Sequence, residues 1–199
     1  MLKNKILESL KCLEGDKSAI QEFIEKYMID PDGLIVSYLN KNTLNVWTEA
    51  ELGKYDILPI YNKQRGDPAG QLAYEDTLMA TGEYASAMLA EFEVTGNHKA
   101  IASASFHVFA ILRVLHEGEK YEKGFLPKPH GGMNKAQYSH EISPDQYIKA
   151  FIALREYQRY ASPSLNKTID GYLVAIADYF LNRNFCHPYR ERTLELIRK

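Results

Sequence analysis

Apolar residues recur at helical spacing along most of the chain. Ile6, Leu7, Leu10 and Leu13 form one stripe, and Gly15 ends it. Asp16 is placed to cap a second helix with Ala19, Ile20, Phe23, Ile24, Tyr27 and Met28 along one face. Asp30-Pro31-Asp32-Gly33 predicts a turn. From Leu34 to Leu58 the signals are mixed. Ile35 to Leu39 fits either a short strand or a helical turn, and Thr48-Glu49-Ala50-Glu51-Leu52 starts a short helix. Tyr61 to Gly70 reads as a polar, glycine-containing loop.

The pattern is clearer beyond that point. Residues 71 to 95 predict a long helix, and Gly96-Asn97 a short turn. Residues 98 to 117 predict a second long helix, with Ile101, Val108, Leu112 and Leu115 on one side. A glycine- and proline-rich loop then runs from Gly118 to Ile142. Loops of this length are uncommon inside compact domains and often functional. Ser143 is a candidate N-cap, Pro144 suits the first helical position, and Gln146 completes a capping box. That helix runs to about Tyr160, with Ile148, Phe151, Ile152 and Leu154 as its apolar positions. Ser162-Pro163 opens another, carrying Leu165, Ile169, Leu173, Ile176 and Phe180 and ending near Asn184. His187-Pro188 predicts a turn, and residues 191 to 199 begin one more helix.

The turns after residues 95 and 160 are short, so their flanking helices are expected to form antiparallel hairpins. The connection between the hairpins is long, which gathers the loops at one end. A faint repeat joins them. Glu75-Asp76-Thr77-Leu78 and Pro144-Asp145-Gln146-Tyr147 occupy similar places, offset by roughly 70 residues. The expected class is all-α. Residues 1–70 form a helical and irregular segment and residues 71–199 a helical-hairpin region, together one compact domain.

Composition narrows the partners. The 199 residues are 45% hydrophobic and 25% charged, with a net charge of -2, so nothing electrostatic points to nucleic acid. No run approaches the roughly 20 apolar residues of a membrane span, and the first residues lack the apolar core of a signal peptide. Cys12 and Cys186 lack metal-site spacing and read as free thiols in a reducing compartment. The expected location is cytoplasmic. The 14 tyrosines suit helix packing and saccharide clefts equally.

Two segments carry a family resemblance. One is Ala73-Tyr74-Glu75-Asp76, followed by a helix through Glu91-Phe92-Glu93-Val94-Thr95-Gly96-Asn97. The other is Ser143-Pro144-Asp145-Gln146-Tyr147, followed by Phe151 and Leu154. Over roughly residues 71 to 183 the chain resembles uncharacterised bacterial members of the six-hairpin glycosidase-like superfamily. The resemblance implies helical hairpins of an (α/α) toroid whose helix ends carry acidic residues toward a saccharide cleft. Its members include glycoside hydrolases, polysaccharide lyases and sugar epimerases. A full toroid needs six hairpins, and this chain has room for about half of them at these helix lengths. The expected form is therefore a partial toroid, and exposed helix flanks would favour a homo-oligomer.

Glycoside hydrolysis needs two carboxyl groups across the scissile bond. Asp76 and Asp145 are the candidate acid/base pair, with Glu75 as an alternative to its neighbour. The competing reading is helix-end electrostatics, because acidic residues favour first turns. Lys128-Pro129-His130-Gly131-Gly132 offers a loop whose glycines admit a ligand and whose Lys128 and His130 contact it. Its competing reading is a mobile surface segment. Tyr138, His140, Gln146 and Tyr147 are candidate sugar contacts, or alternatively packed side chains. His98, His107 and His116 recur every nine residues, so neighbours fall on opposite helix faces and hold no common metal. No cofactor motif is present. The expected function is a carbohydrate-active protein, with a non-catalytic helical binding or assembly module as the alternative.

Overall fold

The structure, a computed structural model, describes residues 18–54, 68–138 and 142–185. The expected 3–13 helix, the Asp16 cap, most of the 61–70 loop, His140, the His187-Pro188 turn, the 191–199 helix and both cysteines lie outside those residues.

The described residues are helical and contain no strand, so the all-α class holds. Residues 18–23 are α-helical and pass into a π-helical turn, Ile24–Met28. This stretch lies shallowly on the fold. Ile24 and Met28 pack against the core, while Ile20 and Phe23 are exposed. The chain next makes the expected turn. Asp30 Oδ1 accepts the N–H groups of Asp32 (2.9 Å) and Leu34 (2.8 Å), and Gly33 adopts φ +89°. Ile35 to Leu39 is extended and makes one isolated bridge, Ile29 to Ile35. A short helix α1, Glu49–Leu52, starts on a full capping box between Thr48 and Glu51.

The predicted helix over 71–95 is divided. It forms α2, Pro68–Ala73, and α3, Thr77–Thr95, with a turn at residues 74–76. Ser37 is the cause. A continuous helix would need the Ala73 carbonyl for the N–H of Thr77, but it accepts from Ser37 N–H at 2.7 Å. The N–H of Asp76 donates to Ser37 Oγ at 2.8 Å. The extended segment thus takes two backbone groups that helix propensity alone would have paired locally.

Gly96, at φ +68°, closes α3, and Asn97 caps α4, His98–Glu119, by accepting from Lys99 N–H at 3.1 Å. After a loop and a 3-10 helix, Met133–Tyr138, come α5, Pro144–Tyr157, and α6, Pro163–Leu181. Both expected hairpins form, α3 with α4 and α5 with α6.

The hairpins stand side by side with α3 and α5 parallel and in register. Leu78 meets Gln146, Glu83 meets Lys149 (2.7 Å), and Glu93 meets Arg159 (2.6 Å) and the Tyr160 hydroxyl (2.7 Å). These pairs are 66 to 68 positions apart, close to the offset of the faint repeat. Small residues make the seam, with Ala85, Ala150 and Ala153 fully buried. A Cβ on Gly82 would lie 2.6 Å from the Lys149 carbonyl oxygen, so only glycine fits there.

On α5 apolar and buried positions are different sets, and the surface-loop expectation for the segment after α4 is corrected. On α5 the buried residues are Gln146, Tyr147, Ala150, Ala153, Leu154 and Tyr157. Ile148, Phe151 and Ile152, part of the predicted apolar stripe, are exposed. The loop after α4 is not a surface segment, since Phe125, Leu126 and Lys128 are buried. By length and composition α4 is apolar enough to cross a membrane, and half of its most apolar window is buried in the bundle. Its His107 is fully buried, with Nδ1 2.7 Å from the Gly33 carbonyl oxygen. That carbonyl can only accept, so Nδ1 carries the proton, and burial lowers the pKa of the ring.

Candidate functional site

The break between α2 and α3 leaves Tyr74, Glu75 and Asp76 half-buried at the rim where α5 also begins. Glu75 is the centre. Its Oε1 pairs with Lys128 Nζ, and its Oε2 lies 3.3 Å from His130 Nε2. The Lys128 side chain is only 4% exposed, so its charge is kept in the fold by this carboxylate. Burial pushes the Glu75 pKa up, but hydrogen bonds from His130 and Lys128 and their charges outweigh it, holding it at about 2.

The loop residues are fixed by backbone bonds. His130 N–H donates to Lys128 O (2.8 Å), and Gly131 N–H donates to Gly70 O (3.2 Å). Gly131 and Gly132 sit at φ +82° and +89°, in the left-handed region that glycine tolerates. A Cβ on Gly132 would lie 3.1 Å from the Tyr74 hydroxyl, so the glycine pair serves internal packing here. That hydroxyl donates to Asp30 Oδ2 (3.1 Å), and burial raises the pKa of both groups.

Gln146 is the second organising residue, and its role differs from the expected one. A capping box would send its side chain back to Ser143, yet Ser143 makes no side-chain cap bond. Instead Gln146, 1% exposed, crosses to the other hairpin. Its Nε2 donates to the Glu75 carbonyl (2.5 Å), and its Oε1 accepts the Leu78 N–H (3.2 Å). It thereby caps α3 from outside, where Asp76, at the N-cap position, makes no side-chain cap bond. Gln146→Leu should leave both backbone groups buried and unpaired. We expect a loss of about 2 kcal/mol or more in urea unfolding, whereas an unchanged midpoint would show that water replaces the amide.

The two candidate aspartates keep separate company. Asp76 Oδ2 accepts from the Tyr38 hydroxyl at 3.3 Å, and Tyr38 is 45% exposed. Burial, then the charges of Asp76 and Glu75, raise the Tyr38 pKa. Asp145 is exposed, and its Oδ1 accepts from Ser143 Oγ and from Gln146 N–H (2.9 Å). Tyr147 is buried and unsuited to sugar contact. Its hydroxyl accepts from Leu126 N–H (2.6 Å) and donates to the Gly124 carbonyl (3.0 Å). His140 and the Tyr138 side chain lie outside the described residues.

The structure therefore gathers Glu75, Lys128, His130 and Gln146, places Asp76 beside them, and turns Asp145 and Tyr147 to other tasks. Tyr38, Asp30 and Tyr74 were not singled out from the sequence. The Asp-Pro-Asp-Gly segment read only as a turn, and its Asp30 is also the partner of Tyr74. Among the described residues, no group of three or more His, Cys, Asp and Glu side chains is arranged to hold a metal ion.

Compared with known proteins, the chain matches no family model, no curated protein sequence and no solved structure.

Proposed function

We propose that this chain is a helical saccharide-binding protein that uses the rim around Glu75, Asp76, Tyr38 and His130. One observation carries the reading. An exposed tyrosine ring stands beside a carboxylate at 3.3 Å, next to a second carboxylate kept ionised. An apolar ring face suits the C–H face of a sugar, and carboxylates accept sugar hydroxyls. We read the two side-by-side hairpins as part of an incomplete α/α toroid, the arrangement that the sequence resemblance implies.

Binding without turnover stands first because the carboxylates are already engaged. Glu75 is paired with Lys128 and contacts His130, and Asp145 bonds its own helix start. A catalytic reading rests on the Glu75–His130 contact, since a carboxylate that orients an imidazole is a common general-base arrangement. Titration against an oligosaccharide panel, with release of reducing ends followed in parallel, separates the two. Under the binding reading Tyr38→Ala and Asp76→Asn each weaken affinity about tenfold, a loss of roughly 1.4 kcal/mol. Asp145→Asn then changes little, and no reducing ends appear. Turnover abolished by His130→Ala or Asp76→Asn would establish the hydrolase instead. No titratable binding to any panel member removes both.

A further inference from the structure

The outward face of α5 has the composition of a helix partner site. Ile148, Phe151 and Ile152 are 56%, 37% and 40% exposed, contiguous at i, i+3 and i+4. Asp145 lies at one end of this stripe and Arg155 at the other, both exposed and of opposite sign. Lys149, on the flank, is tied inward to Glu83 at 2.7 Å.

The order of these residues is symmetric about Ala150. Asp145 and Arg155 stand five positions to either side, and Ile148 and Ile152 two positions to either side. Ala150 itself faces the core and is fully buried, so the centre of symmetry lies on the opposite, outer side. Such a stripe is complementary to its own antiparallel copy. About a two-fold axis, residue i of one helix meets residue j of its partner, and j meets i. Asp145 would then face Arg155 of the second copy twice, and Ile148 would face Ile152 twice, with Phe151 near the axis. A parallel copy would oppose like charges instead.

We propose that α5 is a dimerisation helix and that its occupant is an antiparallel α5 from a second copy of this chain. Charge complementarity identifies the occupant, since the same stretch from Asp145 to Arg155, about 15 Å long, carries both halves of each ion pair. The inference is independent of the saccharide reading, because none of its residues belongs to the proposed binding rim. The area offered by one helix per copy is small, so association is expected in the micromolar range rather than tighter.

Sedimentation equilibrium from about 1 µM to about 1 mM covers that range. The full chain should pass from monomer to dimer across it. Arg155→Asp opposes two acidic pairs and Asp145→Arg two basic pairs, so each variant alone should dimerise at least tenfold more weakly. Mixed in equal amounts they restore both attractive pairs, and the heterodimer should return to within about threefold of the unaltered affinity. Ile152→Glu, exposed and mid-helix, should also abolish association. Circular dichroism checks that each variant is folded, and Ile152→Glu decides alone if Asp145→Arg is not. A monomeric parent at all concentrations overturns the proposal and leaves the face to another segment or partner. Undiminished dimerisation of Ile152→Glu, or a mixture of folded charge variants that stays monomeric, overturns it as well.

Discussion

Gly118→Ala is expected to cost at least about 3 kcal/mol, at the upper end of overpacking penalties. A Cβ at this position would stand 1.9 Å from the Phe125 carbonyl oxygen and 2.7 Å from Pro127 Cδ. Alanine is otherwise the better helix former, worth up to about 1 kcal/mol over glycine. Here that gain is overwhelmed, because the obstacle is backbone and cannot rotate away. Relief requires the buried 125–129 segment to move, and that segment carries Lys128 to Glu75. Gly171→Ala is the internal control. It lies in α6 with nothing within 4 Å of the added carbon, so it should stabilise by up to about 1 kcal/mol. Urea unfolding of both variants checks the pair. Equal midpoints would mean that the loop yields freely at residue 125.

The second large effect concerns the ion pair under the rim. Lys128→Met leaves Glu75 with His130 alone in a mostly buried setting and should cost about 3 to 5 kcal/mol at pH 7. Lys128→Met combined with Glu75→Gln removes both charges and should recover much of that loss. Glu75→Gln alone tests the pH dependence. The folded pKa of about 2 lies below the ordinary 4.5, so the ionised carboxylate stabilises the fold fully above pH 4.5. That contribution, on the order of 3 kcal/mol, fades as pH falls through about 2, with roughly half remaining at pH 3. The stability gap between the parent and Glu75→Gln should therefore narrow between pH 6 and pH 3. A gap that stays constant over this range would show that Glu75 titrates as an ordinary carboxyl. Lys128, His130 and the Tyr38 hydroxyl stand around it, with Asp76 next to Tyr38.

The hairpins were legible because their signals are local. Gly96-Asn97 and Ser162-Pro163 mark ends that depend on caps, and both formed where predicted. The turn at 30–33 was legible for the same reason. The division at 74–76 was not, because Ser37 supplies the competing bonds from more than thirty residues away. The task of Gln146 was not legible either. Its spacing fits a capping box, yet its amide satisfies the neighbouring helix. The burial of Lys128 was not legible, because lysine is seldom buried and its pairing with Glu75, more than fifty residues away, is what reverses that rule. The apolar positions of α5 do not say which of its faces the bundle covers, since periodicity reports that a face exists but not what packs on it.

The in-register seam also bears on how the chain reaches its native state. Contacts across the Gly96-Asn97 turn join near neighbours and close early at little entropic cost. Leu78 and Gln146, by contrast, are 68 positions apart, and the whole second strut of the first hairpin must be laid down before they touch. Part of the topological expense of folding thus lies in closing this seam, alongside the Gly33–His107 contact across 74 positions, and a parallel arrangement offers no shorter route to it.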